Sequence, residues 1–122
     1  MERLTARITD LAVRYVDPDA VLLFGSTARG HGRVDSDVDL LIIGSFEGHP
    51  GRRGLELREA LSEVPVHVDL LFMTPAEYAE QLGHSGSFVQ TVSRHARLLY
   101  IRAGSEAPTL HAEGRPAGGS AG

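Results

Sequence analysis

Three short runs of apolar residues, each bounded by turn-forming residues, limit the folds open to this chain. They span residues 20–24, 38–43 and 66–72. Continuous apolar runs of this length predict buried strands, and the third run is also rich in β-branched residues. A fourth, shorter strand is predicted over residues 97–101. The chain therefore needs one small sheet with helices packed on it.

The segments between these runs have helical patterns. Apolar residues recur on one stripe of residues 2–16, and residues 55–64 place several apolar side chains toward a core. Thr74 is a suitable N-cap, with Pro75 at the first helical position and Glu77 two residues after it, which predicts a helix that ends near Gly83.

A further helix is predicted after Ser87, which can cap it, with Phe88, Val89 and Val92 directed inward. The element order is then helix, strand, turn, strand, helix, strand, helix, helix, strand. This order predicts an α/β (α+β) domain in which helices pack on one small mixed sheet. The short connection between the first two strands makes them antiparallel neighbours.

Length and composition favour one domain. Of 122 residues, we assign 1–103 to that domain and 104–122, which is dominated by Gly, Ala, Pro and Ser, to a disordered tail. The absence of cysteine excludes a disulfide scaffold and a thiolate zinc site. No signal-peptide block or membrane span is present, so we expect a cytoplasmic protein with no membrane partner. The net charge of −4 makes a general nucleic-acid binder less favoured.

Three aspartates suggest a metal site. Asp37 and Asp39 are two residues apart at the start of a strand and should project from the same face. Asp69 lies in the third apolar run, where a buried carboxylate would need a partner, and it would join them if the two strands are neighbours. Hard oxygen ligands suit Mg²⁺, or alternatively Mn²⁺, and three acids could hold two ions for phosphoryl or nucleotidyl transfer. His67 would share the face of Asp69, where a hydrogen-bonded or packed role is favoured over metal binding.

A glycine-bounded turn follows the first strand. Gly25 lets a phosphate approach the backbone, and Ser26 offers a hydroxyl and an N–H to it. Arg29 could bind the phosphates through its guanidinium or anchor the turn to an acid.

Taken together, residues 25–30 (GSTARG), residues 36–40 (SDVDL) and Asp69 resemble the DNA polymerase β-type nucleotidyltransferase superfamily, and in particular its minimal nucleotidyltransferase (MNT) group. The resemblance implies that Gly25 and Ser26 bind the triphosphate of ATP or another NTP. It implies that Asp37, Asp39 and Asp69 bind two Mg²⁺ ions and that Asp69 helps deprotonate the acceptor hydroxyl. The role of Arg29 stays open.

The resemblance also implies a partner. Many MNT proteins are antitoxins of type VII toxin–antitoxin systems that bind an all-helical HEPN ribonuclease toxin, and some add AMP to a tyrosine of it. A domain this small has no room for a separate acceptor-binding domain, which agrees with that role. Two alternatives remain: a toxin that adds nucleotides to tRNA ends, and an antitoxin that acts by binding alone. Self-association is left open.

Overall fold

A computed structural model describes residues 2–25, 38–46 and 54–110 of the chain. Its helices and strands follow the predicted order. In chain order they are α1 Glu2–Val16, β1 Ala20–Phe24, β2 Val38–Ile43, α2 Leu55–Leu61, β3 Val68–Met73, α3 Pro75–Leu82, α4 Phe88–His95 and β4 Arg97–Ile101. None of the helices within these described ranges is long and apolar enough to cross a membrane.

The four strands form one mixed sheet in the order β3-β2-β1-β4. Strand β1 is antiparallel to both β2 and β4, as predicted for β1 and β2, whereas β2 and β3 are parallel. Parallel neighbours need a crossover connection, and α2 lies in the connection between β2 and β3. The predicted α/β architecture is therefore confirmed.

Each face of the sheet has its own apolar core. On one face, Leu40 and Ile42 of β2 pack with residues of α1 and α2, among them Ile8 and Leu57. On the other face, the alternate residues of β2 pack with residues of α3 and α4; this second core contains Ala20, Leu22, Leu41, Ile43, Met73, Tyr78, Val89 and Val92. Because side chains alternate along a strand, the short apolar runs supply both cores at once.

Three boundaries differ from the sequence-based prediction. Helix α2 ends at Leu61 rather than continuing to residue 64, because Pro65 disfavours helical backbone at the residue before it. Strand β3 spans Val68–Met73, so it begins two residues later and ends one residue later than predicted. The capping box of α3 is present as predicted: the Thr74 hydroxyl accepts from the Glu77 N–H at 3.1 Å, and the Glu77 carboxylate accepts from the Thr74 N–H at 2.9 Å.

The prediction that Phe88 points into the core is wrong. The side chain is 45% exposed, although Ser87 caps α4 as expected and accepts a hydrogen bond from the Gln90 N–H at 3.1 Å. Val89 and Val92 occupy the buried stripe of the helix. Phe88 is the first residue of α4 and lies beside this stripe, where its ring packs against Phe24.

The segment after β4 also differs from the prediction, in which residues 104–122 form a disordered tail with almost nothing to bury. Residues 104–110 are among those described, and the Tyr78 hydroxyl donates a hydrogen bond to the Thr109 carbonyl at 2.7 Å. Leu110 packs against the second core. The packed part of the chain therefore reaches Leu110, while residues 111–122 lie outside the described residues.

The burial of Tyr78 makes the stability of the fold depend on pH in the alkaline range. Burial raises the pKa of the Tyr78 phenol from 10.0 to about 12. Between these values the unfolded chain loses its phenolic proton while the folded chain keeps it, so stability should fall as pH rises from 10 to 12, by about 2 kcal/mol. Urea denaturation across this range should show the fall. Because Tyr78→Phe removes the ionising group, it should flatten the curve relative to wild type while costing about 1 kcal/mol at neutral pH.

A Tyr100→Phe variant is the matched control, because it removes a tyrosine for which no contact with the terminal segment is seen among the described residues. If Tyr78→Phe and Tyr100→Phe changed the alkaline stability curve alike, the contribution assigned to Tyr78 would be wrong.

Candidate active site

The parallel pairing of β2 and β3 sets two aspartates side by side. Asp39 is the register partner of Asp69 on adjacent strands, which lie about 4.8 Å apart in such sheets. Asp39 alternates with Leu41 and Ile43, and these two residues belong to the second core. Asp39 and Asp69 therefore project from the same face, as the sequence predicted for neighbouring strands.

Asp69 is more accessible than the sequence indicated. Its apolar neighbours predicted a buried carboxylate, but 59% of the side chain is exposed. The reason is its position: β3 is an outer strand of the sheet, and Asp69 is its second residue. The apolar residues that follow it, Leu70 and Phe72, supply the buried part of the strand.

Gly25, the residue after β1, lies against the Asp39 carboxylate. It has a φ of +81°, which favours glycine, and a Cβ built on it would overlap Oδ2 of Asp39. Phe24, the preceding residue, is the antiparallel register partner of Asp39. The start of the predicted phosphate-binding turn and a predicted metal ligand are thus adjacent, and only a residue without a side chain allows this approach.

His67 interacts directly with Asp69. Its Nε2 lies 2.9 Å from Oδ1 of Asp69, and 65% of the histidine side chain is exposed. The hydrogen-bonded role favoured from the sequence is confirmed. This contact orients the Asp69 carboxylate from the residue that immediately precedes β3.

Three of the predicted site residues, Ser26, Arg29 and Asp37, lie outside the described residues. Their roles stay predictions. Within the part of the chain that the structure describes, no group of three or more His, Cys, Asp or Glu side chains could hold a metal ion. The described residues supply two carboxylates for such a site.

An aromatic pair that the sequence did not indicate includes Phe24, the register partner of Asp39. The rings of Phe24 and Phe88 meet edge to face, with centroids 5.5 Å apart and planes at 84°. Helical spacing gave no signal of this exposure, because Phe88 and Val92 are four residues apart and therefore neighbours on one face of α4. The buried face is turned away from Phe88 by Ser93, which is buried next to Val89.

The sequence profile of the nucleotidyltransferase domain matches residues 8–98. This match spans β1, β2 and β3 and the start of β4, and it includes Gly25, Asp39 and Asp69. The chain belongs to the nucleotidyltransferase domain family. No curated protein sequence gives a match.

Two solved structures resemble this nucleotidyltransferase domain. One is a crystal structure of a toxin–antitoxin with AMP-PNP, with a TM-score of 0.56 and 22% identity over 81% of this chain and 73% of that chain. The other, from Sulfolobus solfataricus, is provisionally described as a nucleotidyltransferase and has a TM-score of 0.48 and 20% identity over 88% of this chain and 86% of that chain. At its level of identity, the first similarity concerns the fold.

The chemistry of the donor set fits what a nucleotidyltransferase domain needs. Asp39 and Asp69 offer carboxylate oxygens, which are the ligands preferred by Mg²⁺ and Mn²⁺. Asp69 has an ion-pair contact with His67. Two acids on one face repel each other, and a divalent cation relieves this repulsion.

Proposed function

We propose that this nucleotidyltransferase domain transfers AMP from ATP to a hydroxyl group, and that the acceptor is a tyrosine of a cognate HEPN toxin in the cytoplasm. One observation carries the proposal: Asp39 and Asp69 are in register on neighbouring strands, and the Asp39 carboxylate lies against Gly25. Carboxylates for cations and a backbone turn for phosphates are the two parts that nucleotidyl transfer requires.

The proposed cofactor is a pair of Mg²⁺ ions, with Mn²⁺ as a substitute. Asp39 and Asp69 would hold them together with Asp37. When bound, the ions supply charge neutralisation for the triphosphate and a lowered pKa for the acceptor hydroxyl. Asp69 is the carboxylate proposed to accept the proton of that hydroxyl, and its exposure leaves it accessible to a side chain of another protein.

The proposed nucleotide site is the turn that begins at Gly25. The left-handed backbone of Gly25 packs against Asp39, so the proposed phosphate contacts are those of the backbone N–H groups of the turn. Ser26 would donate its hydroxyl and N–H to the phosphates, and Arg29 would bind them through its guanidinium or hold the turn in place.

The choice of ATP and of a toxin as the partner comes from a solved structure of similar fold. A protein of similar fold was crystallised as a toxin–antitoxin with AMP-PNP, which makes an adenine nucleotide and a toxin the first substrates to test.

The proposal predicts a covalent product. Purified protein incubated with ATP, Mg²⁺ and the toxin encoded beside it should convert the toxin to a species heavier by one AMP, with pyrophosphate released, and tandem mass spectrometry should place the AMP on a tyrosine. The product should not form without Mg²⁺ or Mn²⁺.

Other outcomes distinguish the alternatives. Labelled nucleotide found on tRNA, with none on the toxin, would contradict the protein acceptor and favour a tRNA-modifying enzyme. Neutralisation of the toxin without transfer to any acceptor would contradict the catalytic proposal and favour an antitoxin that acts by binding alone.

A further inference from the structure

Phe88 is an exposed aromatic residue that does not belong to either core. Among the described residues it is one of four large hydrophobic side chains with substantial exposure, the others being Tyr15, Leu55 and Leu98. Phe88 differs from them in position, because its ring packs edge to face on Phe24 at a centroid distance of 5.5 Å.

Phe24 links this ring to the candidate active site. It is the register partner of Asp39 on the adjacent antiparallel strand, so the two side chains share one face of the sheet with Cβ atoms about 5 Å apart. On this face of the sheet, Asp39 is therefore followed by the half-buried ring of Phe24 and then by the exposed ring of Phe88. Phe88 is thus connected to Asp39 through one intervening residue, Phe24.

Hydrogen bonds hold the start of α4, which carries Phe88, in place. The Ser87 hydroxyl donates to the Gln81 carbonyl at 2.6 Å, and the Gln90 side-chain amide donates to the Leu82 carbonyl at 3.0 Å. These contacts fix the start of α4 to the end of α3. Val89 and Val92, which are next to Phe88 on α4, are buried in the second core, so the exposed ring has a fixed support.

The chemistry of an exposed aromatic pair suits a flat apolar ligand and not a phosphate. A nucleobase has such a face, and aromatic side chains contribute substantially to nucleotide binding by stacking on it. We propose that Phe88, supported by Phe24, stacks on the base of the nucleoside triphosphate. This inference rests on the proposed function, because it assumes that the nucleotide phosphates lie at Gly25 and the carboxylates.

The test separates the base from the phosphates. Binding of ATP and of inorganic tripolyphosphate, each with Mg²⁺, is measured by isothermal titration calorimetry for wild type, Phe88→Ala and Phe88→Tyr. Wild type should bind ATP more tightly than tripolyphosphate. Phe88→Ala should weaken ATP binding about 5- to 100-fold and leave tripolyphosphate binding unchanged, and Phe88→Tyr should restore ATP binding to near wild type.

Leu55→Ala is the matched control, since Leu55 is 61% exposed and begins α2, which packs on the opposite face of the sheet. It should change neither affinity. Circular dichroism of each variant checks that the fold is retained.

Two results would overturn the inference alone: ATP affinity unchanged in Phe88→Ala, or an equal loss of ATP and tripolyphosphate. A wild-type protein that binds neither ligand would overturn the proposed function as well. The two failures are therefore distinguishable.

Discussion

Replacing Asp39 with asparagine should lower the rate of nucleotidyl transfer by at least about a hundredfold, since loss of a group that only supports a metal ligand already costs 10- to 100-fold. Asparagine has the same shape but no charge, so the repulsion between the two acids and the affinity for Mg²⁺ would fall together. The half-buried side chain need not move, and the fold should be retained. Initial rates of AMP transfer over a series of Mg²⁺ concentrations measure both effects.

Glu80→Gln is the control for this substitution, because Glu80 is an exposed acid on α3 for which no contact with the candidate site is seen among the described residues. It should transfer AMP at the wild-type rate. A wild-type rate in Asp39→Asn would remove Asp39 from the proposed site. Loss of transfer with full neutralisation of the toxin would instead show that transfer is not the act that neutralises it.

The parts of the fold that the sequence predicted are those set by local patterns. Residues 2–16, 20–24 and 38–43 were predicted with the bounds that the structure shows, because an amphipathic stripe and two short apolar runs end at turn-forming residues. The capping residues Thr74 and Ser87 placed the starts of α3 and α4 for the same reason. In each case neighbouring residues alone determine where the backbone changes direction.

The features that could not be predicted from the sequence depend on contacts between residues that are far apart in the chain. The exposure of Asp69 follows from the position of β3 at an edge of the sheet, which no local pattern specifies. The packing of residues 104–110 depends on the Tyr78 hydroxyl, which lies 31 residues before its acceptor Thr109. The adjacency of Phe88 to the candidate site likewise requires the position of α4 over the sheet.

The candidate site likewise has some features that local sequence patterns predict and others that they do not. That Asp39 and Asp69 share a face followed from strand alternation, once β2 and β3 were assumed to be neighbours. The sequence did not show that Asp39 and Asp69 are register partners or that Gly25 contacts Asp39. Both features depend on the three-dimensional structure. Ser26, Arg29 and Asp37 stay predictions of the sequence.

Replacing Gly25 with alanine should destabilise the protein and lower transfer about a hundredfold, since a displacement of about 1 Å in a catalytic group can cost this much. The new Cβ would overlap Oδ2 of Asp39, so the carboxylate must shift. Alanine at a φ of +81° also costs about 1 kcal/mol from the backbone alone. Urea denaturation and the rate of AMP transfer measure the two effects separately.

Gly86→Ala isolates the backbone contribution, because Gly86 has a φ of +78° and a Cβ there would meet nothing within 4 Å. It should lose about 1 kcal/mol of stability and keep the wild-type rate. The loss of stability in Gly25→Ala beyond that in Gly86→Ala is then the cost of displacing Asp39. Equal losses and unchanged transfer in both variants would contradict the contact between Gly25 and Asp39.

The same contact can be measured as a coupling energy. In Asp39→Ala the carboxylate is absent, and the nearest remaining atom to a Cβ on Gly25 would be the Cβ of residue 39 at 3.6 Å, an ordinary contact. Adding Gly25→Ala to that variant should therefore cost only the backbone strain seen in Gly86→Ala. The double-mutant cycle should give a coupling of about 0.5–3 kcal/mol between positions 25 and 39, whereas additive losses would mean that the turn and the carboxylate are independent. Because the cycle reads stability and not activity, it tests the geometry of the site even if the acceptor is not the proposed tyrosine.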